Sequence, residues 1–245
     1  MNIGIIGAGN IGATLARKLT ACGHIVKLAN SRGPETIYNV AREIGATAVT
    51  REEAVRNVDV IILSIPFGKY VELTELLAGV PNYVTVIDTS NYYPARDGYI
   101  PAIVDEGKPE SVWASELIGR PLIKAWNAVL AATLAGDYRE IPSSGRIAIP
   151  IAGDNDNAKS VAMELVRDTG FDAIDAGTLE NSWRQQPGTP AYCTELNVQQ
   201  LKTALVIADK SRSPRNRDSL MDEFMSSSEP LTHEHIIARN RAVTA

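Results

Sequence analysis

Hydrophobic positions along the chain follow two alternating rhythms. Ile3-Gly4-Ile5-Ile6 is a short apolar run, the signature of a strand buried on both faces. After a glycine loop, Ile11, Leu15 and Leu19 recur every four residues with Gly12 and Ala16 beside them. That spacing predicts a helix laid on a sheet and ended at Gly23. Residues 25–29 predict a second strand. A helix starting near Pro34 carries Ile37, Ala41 and Ile44 on one face and stops at Gly45. Strands at 46–49, 59–64 and 84–88 then alternate with helices at 51–57 and 71–78. Short connections of this kind predict right-handed crossovers and a parallel sheet.

Residues 92–118 break the rhythm. Tyr92, Tyr93, Pro94, Gly98, Pro101, Gly107 and Pro109 suggest a long ordered loop, a candidate lid or pocket wall. Regular structure resumes with a strand at 122–126 and a helix at 128–135. A strand-helix-strand block follows at 146–152, 156–169 and 171–176. A helix is expected at 196–207, then a polar tail from Ser211 with a last helix at 232–243. The modest apolar face of that helix (Ile236, Ile237, Asn240) suits a homodimer contact or packing on its own domain equally well.

Composition narrows the class. The 245 residues are 44% hydrophobic and 22% charged, as in a soluble globular protein, and the net charge of −5 gives no reason to expect nucleic-acid binding. The basic run at 210–217 reads as a solvated loop or helix start. Cys22 and Cys193 lack CxxC spacing, so neither a disulfide framework nor a metal site is expected, and both read as packed small apolar residues. The apolar stretch 58–67 contains Asp59 and Pro66 and is too short to span a bilayer. The chain enters its first strand directly after Met1-Asn2 without a basic leader, so no membrane association and a cytoplasmic location are expected.

The chemistry begins at Gly7-Ala8-Gly9-Asn10-Ile11-Gly12, a GxGxxG run between a strand and an amphipathic helix. Gly7 permits the tight turn, Gly9 lets a pyrophosphate approach the backbone, and Gly12 lets helix and strand pack closely. Free N–H groups and the helix dipole then meet the phosphates. The expected fold is therefore α/β, a Rossmann-type doubly wound, mainly parallel sheet with a small C-terminal extension of strands and helices. Residues 1–140 would form the dinucleotide-binding domain, and 141–245 a smaller portion completing a second-ligand cleft.

The second strand's exit selects the cofactor. An NAD site places an acid there, about twenty residues beyond the glycines. This chain has Asn30-Ser31-Arg32-Gly33, with a hydroxyl donor and a planar cationic fork suited to a 2′-phosphate. NADP(H) is the expected cofactor. The fourth strand exits at Ser64-Ile65-Pro66, the fifth towards Asn91 and the sixth at Asn127, all at the carboxyl edge where such sheets bind ligands. Tyr92 and Trp126 lie beside Asn91 and Asn127 and are expected to line the nicotinamide end. No side-chain acid or base stands out, and catalytic residues are unassigned.

GxGNxG, Ser31-Arg32, Lys124-Ala125-Trp126-Asn127 and Ala152-Gly153-Asp154-Asn155-Asp156 together resemble the F420-dependent NADP oxidoreductase family over about residues 1–185. The resemblance implies NADP contacts at Gly7, Gly9, Asn10, Ile11, Ser31 and Arg32. It also implies direct hydride transfer to a stacked deazaflavin, coenzyme F420; a flavin is chemically open as the acceptor as well. The segment 175–183 resembles that family's second-ligand segment, but Trp183 and the following Arg184-Gln185-Gln186 depart from it; Trp183 is a candidate for lining the substrate pocket. The sequence leaves two alternatives: reduction of a small substrate such as an imine, hydroxyacid or ferric chelate, and an NADP(H)-sensing module without catalysis. Lys202 and Lys210 lack the glycine-rich segment a hydroxyacid dehydrogenase places before its lysine. His233 and His235 read as solvated tail residues.

Overall fold

The computed structural model describes residues 1–245. Strands β1 (Asn2–Ile6), β2 (Ile25–Ala29), β3 (Thr47–Ala48), β4 (Val60–Leu63), β5 (Thr85–Asp88) and β6 (Ile123–Lys124) form one sheet in the order β3-β2-β1-β4-β5-β6. Every pairing in it is parallel. This is the expected doubly wound arrangement, and the strand order reverses between β1 and β4, which opens a crevice at their carboxyl ends. Helices α1 (Asn10–Ala21), α2 (Tyr38–Glu43), α3 (Arg51–Ala54) and α4 (Leu73–Ala78) follow the first four strands.

Alternation along the strands feeds two cores. Ile3, Ile5, Val60 and Ile62 pack with Leu15 and Leu19 of α1, while Ile6, Ile61 and Leu63 pack on the opposite face with Ala54, Phe67 and Leu73. Gly4 lies in mid-strand because α3 crosses β1 there: a Cβ would sit 1.8 Å from the Ala54 carbonyl oxygen.

Residues 92–118 are not a loop. They form α5 (Pro94–Asp97), α6 (Pro101–Val104) and α7 (Glu110–Ile118). The prolines that suggested irregular chain begin these helices: Pro94 and Pro101 are first helical residues and Pro109 immediately precedes α7. Gly98 and Gly119, both at positive φ, end α5 and α7.

Beyond α8 (Ala131–Ala135), strands β7 (Ala148–Ile151) and β8 (Asp172–Asp175) pair in parallel across α9 (Asp156–Asp168). An antiparallel bridge between Lys124 and Ala152 ties this unit to the exit of β6. Ile149, Ile151, Leu165 and Phe171 belong to the same cluster as Ile3 and Leu15, so a boundary near 140 divides the topology and not the core.

The tail holds α10 (Val198–Ile207), α11 (Ser213–Ser226) and α12 (His233–Thr244). The basic run leads into α11, as its helix-start reading allowed, but Arg217 is buried and not solvated. Helix α12 packs against α11 and buries Ile237, Asn240 and Thr244. Two expectations fail here. Cys22 is exposed at the end of α1, where only Cys193 was correctly read as packed. His233 is half-buried, 2.8 Å from Glu195, because α12 folds back on the 190s segment. No helix is long and apolar enough to cross a membrane.

Candidate functional site

A groove of about 460 Å³ opens at the carboxyl ends of β1, β2 and β4. Gly7, Ala8, Gly9, Asn30, Ser31, Arg32, Ser64, Ile65 and Pro66 all line it, so three exits separated in sequence converge as expected. The three glycines of the motif do different work. Gly7 has φ +113°, and a Cβ there would lie 1.9 Å from the Ser64 carbonyl oxygen. A Cβ on Gly12 would lie 1.8 Å from the Gly7 carbonyl oxygen. Gly9 is in extended geometry, and a Cβ there would meet no protein atom within 4 Å. Packing explains glycine at 7 and 12; at 9 only the open groove does. Asn10 and Ile11 begin α1 beside that opening, with their N–H groups at the positive end of the helix.

The loop after β2 is held by its own side chains. Asn30 Oδ1 accepts from the Arg32 N–H at 3.0 Å, Asn30 Nδ2 donates to Thr36 Oγ1 at 2.8 Å, and Thr36 Oγ1 donates to the Gly33 carbonyl at 2.8 Å. Gly33, at φ +95°, turns the chain into the helical turn at Pro34. Arg32 is left exposed at the groove.

At the exits of β5 and β6 the expected pocket is built differently. Asn127 is buried: its Nδ2 donates to Asn91 Oδ1 at 2.9 Å and to the Gln185 carbonyl at 2.8 Å, and its Oδ1 accepts from Gln185 Nε2 at 2.9 Å. Asn91 stays half-buried and donates to the Asn127 carbonyl at 3.0 Å. The asparagines thus pin the two exits together and to the segment around Gln185.

Tyr92 and Trp126 do not line a pocket. Trp126 has φ +58°, and its ring lies in the core with its indole N–H 3.3 Å from Thr169 Oγ1. Tyr92 is fully buried beside Phe67, its hydroxyl donating to the Gly98 carbonyl at 2.7 Å and so anchoring the turn after α5. Their places just after the strand exits suggested pocket lining, but both side chains turn into the core. Trp183 is half-buried between cations, with Arg184 4.4 Å and Lys210 5.9 Å from its ring centre, and does not line the groove.

Groups that sequence reasoning missed lie at and under this edge. Asp88 and Lys124, both fully buried, pair at 2.9 Å. Burial alone would raise the Asp88 pKa, but the Lys124 ammonium and donated bonds from Ser90 and Tyr70 hold it below the usual carboxylate value. Glu110, at the start of α7, accepts from the Tyr92 N–H at 3.1 Å, and burial pushes its carboxyl up to about 7. Tyr93 and Tyr192 bring their hydroxyls to 2.9 Å of each other, and burial raises both so that they stay protonated. The groove also receives Arg51, Lys69 and Glu72. Separations of up to about a hundred residues hid these pairs, although the Lys124 motif was a signal.

Comparisons with known proteins follow the same lines. The family described as NADP oxidoreductase, coenzyme F420-dependent, matches residues 2–92. YjhV of Escherichia coli K12 is 40% identical over 109 residues, which are 44% of this chain and 80% of that protein. The solved structure of the protein SMa0349 from Sinorhizobium meliloti aligns with a TM-score of 0.67 at 31% identity, covering 80% of this chain and 95% of that one. Metalloreductase STEAP3 of Rattus norvegicus is 26% identical over 180 residues, 74% of this chain but only 34% of that protein.

Proposed function

The chain belongs to the NADP oxidoreductase, coenzyme F420-dependent family, whose members are NAD(P)-dependent oxidoreductases, and we propose on that premise that it moves a hydride between NADP(H) and a second small-molecule acceptor such as coenzyme F420 or a flavin. The observation that carries the cofactor half is the open space at Gly9 beside Ser31 and Arg32 in one groove. Gly7, Ala8, Gly9 and the first N–H groups of α1, from Asn10 and Ile11, would hold the pyrophosphate, with Gly12 keeping the helix close. Ser31 and Arg32, on the loop shaped by Asn30 and Gly33, would hold the 2′-phosphate. Ser64, Ile65 and Pro66, at the exit of β4, complete the lining.

When bound, NADP(H) supplies the hydride at its nicotinamide ring. The work left to the protein is to orient the two rings and exclude water. Asn91, held by Asn127, stands at the exit where the nicotinamide end would lie, and the Tyr93–Tyr192 pair next to it can donate a hydrogen bond to an acceptor. Direct transfer between rings requires no side-chain base.

The test follows NADPH and NADH oxidation with coenzyme F420, FMN, FAD and a ferric chelate offered in turn. The expected result is acceptor-dependent oxidation with NADPH preferred by about tenfold or more, the cost of one charged contact. No stimulation by any acceptor, or equal use of NADH, overturns the reading.

A further inference from the structure

Three charged side chains of the groove have no part in the reading just given. Arg51 opens α3 after β3, and Lys69 and Glu72 come from the short 3-10 helix Phe67–Glu72 that follows β4. All three line the same groove as Arg32, which arrives from β2. Glu72 holds both cations, Arg51 on Oε2 at 3.1 Å and Lys69 on Oε1 at 3.1 Å. The Lys69 bond, then the Arg51 bond, lowers the Glu72 pKa, so it stays ionised.

The groove therefore carries three cations against one carboxylate. The side chains of Arg51, Glu72 and Lys69 are 32%, 40% and 63% exposed, so they can exchange partners without moving the backbone. Ion pairs this exposed add little to folding, and stability does not explain why they converge on the groove.

We propose that Arg51 and Lys69 form a second phosphate-recognition element at the adenosine end of the groove, with Glu72 as an internal anion that holds them there until a phosphate monoester takes its place. The inference rests on the NADP(H) reading above. A phosphate monoester brings close to two negative charges and three strong acceptor oxygens, more than a carboxylate offers. The ribose hydroxyl of an unphosphorylated cofactor brings neither and leaves the Glu72 clasp in place. Selection for the phosphorylated form then comes from two walls, Arg32 on one and Arg51 with Lys69 on the other. Glu72 sets the threshold that a weakly charged ligand fails to cross.

The experiment titrates the full chain calorimetrically with 2′,5′-ADP and 5′-AMP, which differ only in the phosphate in question. The variants are Arg51→Gln, Glu72→Gln and the two combined. Arg51→Gln is expected to weaken 2′,5′-ADP by about tenfold while 5′-AMP changes by less than about twofold. Glu72→Gln frees the cations and strengthens 2′,5′-ADP by about threefold, and most of that gain disappears in the double variant. Unchanged 2′,5′-ADP affinity in Arg51→Gln, equal loss of both fragments, or weaker 2′,5′-ADP binding in Glu72→Gln would overturn the proposal. If Arg51→Gln lowers the unfolding temperature, Lys69→Gln, a more exposed site, provides the same comparison. A wild-type chain that binds both fragments equally overturns the NADP(H) reading and this inference together. A wild-type preference that survives Arg51→Gln overturns the inference alone.

Discussion

Replacing Gly9 with valine separates what the groove needs from what the fold needs. Gly9 has φ −77° and ψ −171°, geometry that valine adopts freely, and its Cβ would meet no protein atom within 4 Å. The folding cost is then confined to a poorer N-cap for α1, about 1 kcal/mol or less. For a chain of this size that shifts the unfolding midpoint by about 2–4 °C. The branched side chain would instead occupy the space a pyrophosphate needs, and NADPH and NADH should both lose at least about a hundredfold in affinity, near 2.7 kcal/mol. Gly7→Val provides the contrast. Its φ of +113° and the 1.9 Å approach to the Ser64 carbonyl oxygen make it a folding defect of more than about 3 kcal/mol. Thermal unfolding and calorimetric titration on the same preparations check both. If Gly9→Val binds NADPH normally, or destabilises as much as Gly7→Val, the assignment of Gly9 to a ligand is wrong.

Arg32→Ala should weaken NADPH by about 1–3 kcal/mol and leave NADH nearly unchanged in parallel titrations, whereas equal losses would remove Arg32 from the 2′-phosphate. Burial pushes Glu110 up to about 7, so the folded state keeps a proton that the unfolded chain has released. Its stabilising contribution is complete below the ordinary value of 4.5 and is lost as pH rises through 7. Glu110→Gln should flatten that slope and stabilise the protein above pH 7 by about 1–3 kcal/mol in denaturant titrations; an unchanged slope refutes the assignment. Lys124→Met leaves the Asp88 carboxylate buried without its partner and should cost about 3–5 kcal/mol, much of it recovered by adding Asp88→Asn. A loss in Lys124→Met below about 1 kcal/mol would show that the pair is not the brace its burial suggests.

Local rules carried the first half of the chain because its problems are local. The period of Ile11, Leu15 and Leu19 fixes which face of α1 meets the sheet, and the glycine at 12 follows from the Gly7 carbonyl in the same turn, although the one at 7 also answers to Ser64 at the exit of β4. Ser31 and Arg32 could be placed because a parallel sheet sends every strand exit to one edge. The same rules failed between 92 and 118, where prolines that end helices in most contexts begin three short ones. The longest of them, α7, packs because Ala114 and Ile118 are buried with Phe67, Leu73 and Tyr92, a partnership no local window contains.

Sequence by itself determined the sheet, the glycine turn, the family and the cationic exit of β2, since each depends on residue type and spacing within one strand-helix unit. Tertiary structure decided which exit residues face the groove. Trp126 turns into the core through a positive φ, Tyr92 anchors the turn after α5, and Asn127 is consumed by Asn91 and Gln185. It also brought Arg51 and Glu72 together from segments twenty-one residues apart, and Tyr93 to Tyr192 across ninety-nine. The physical reason is common to all of these. A side chain's direction depends on what packs behind it, and those neighbours are set by the fold as a whole.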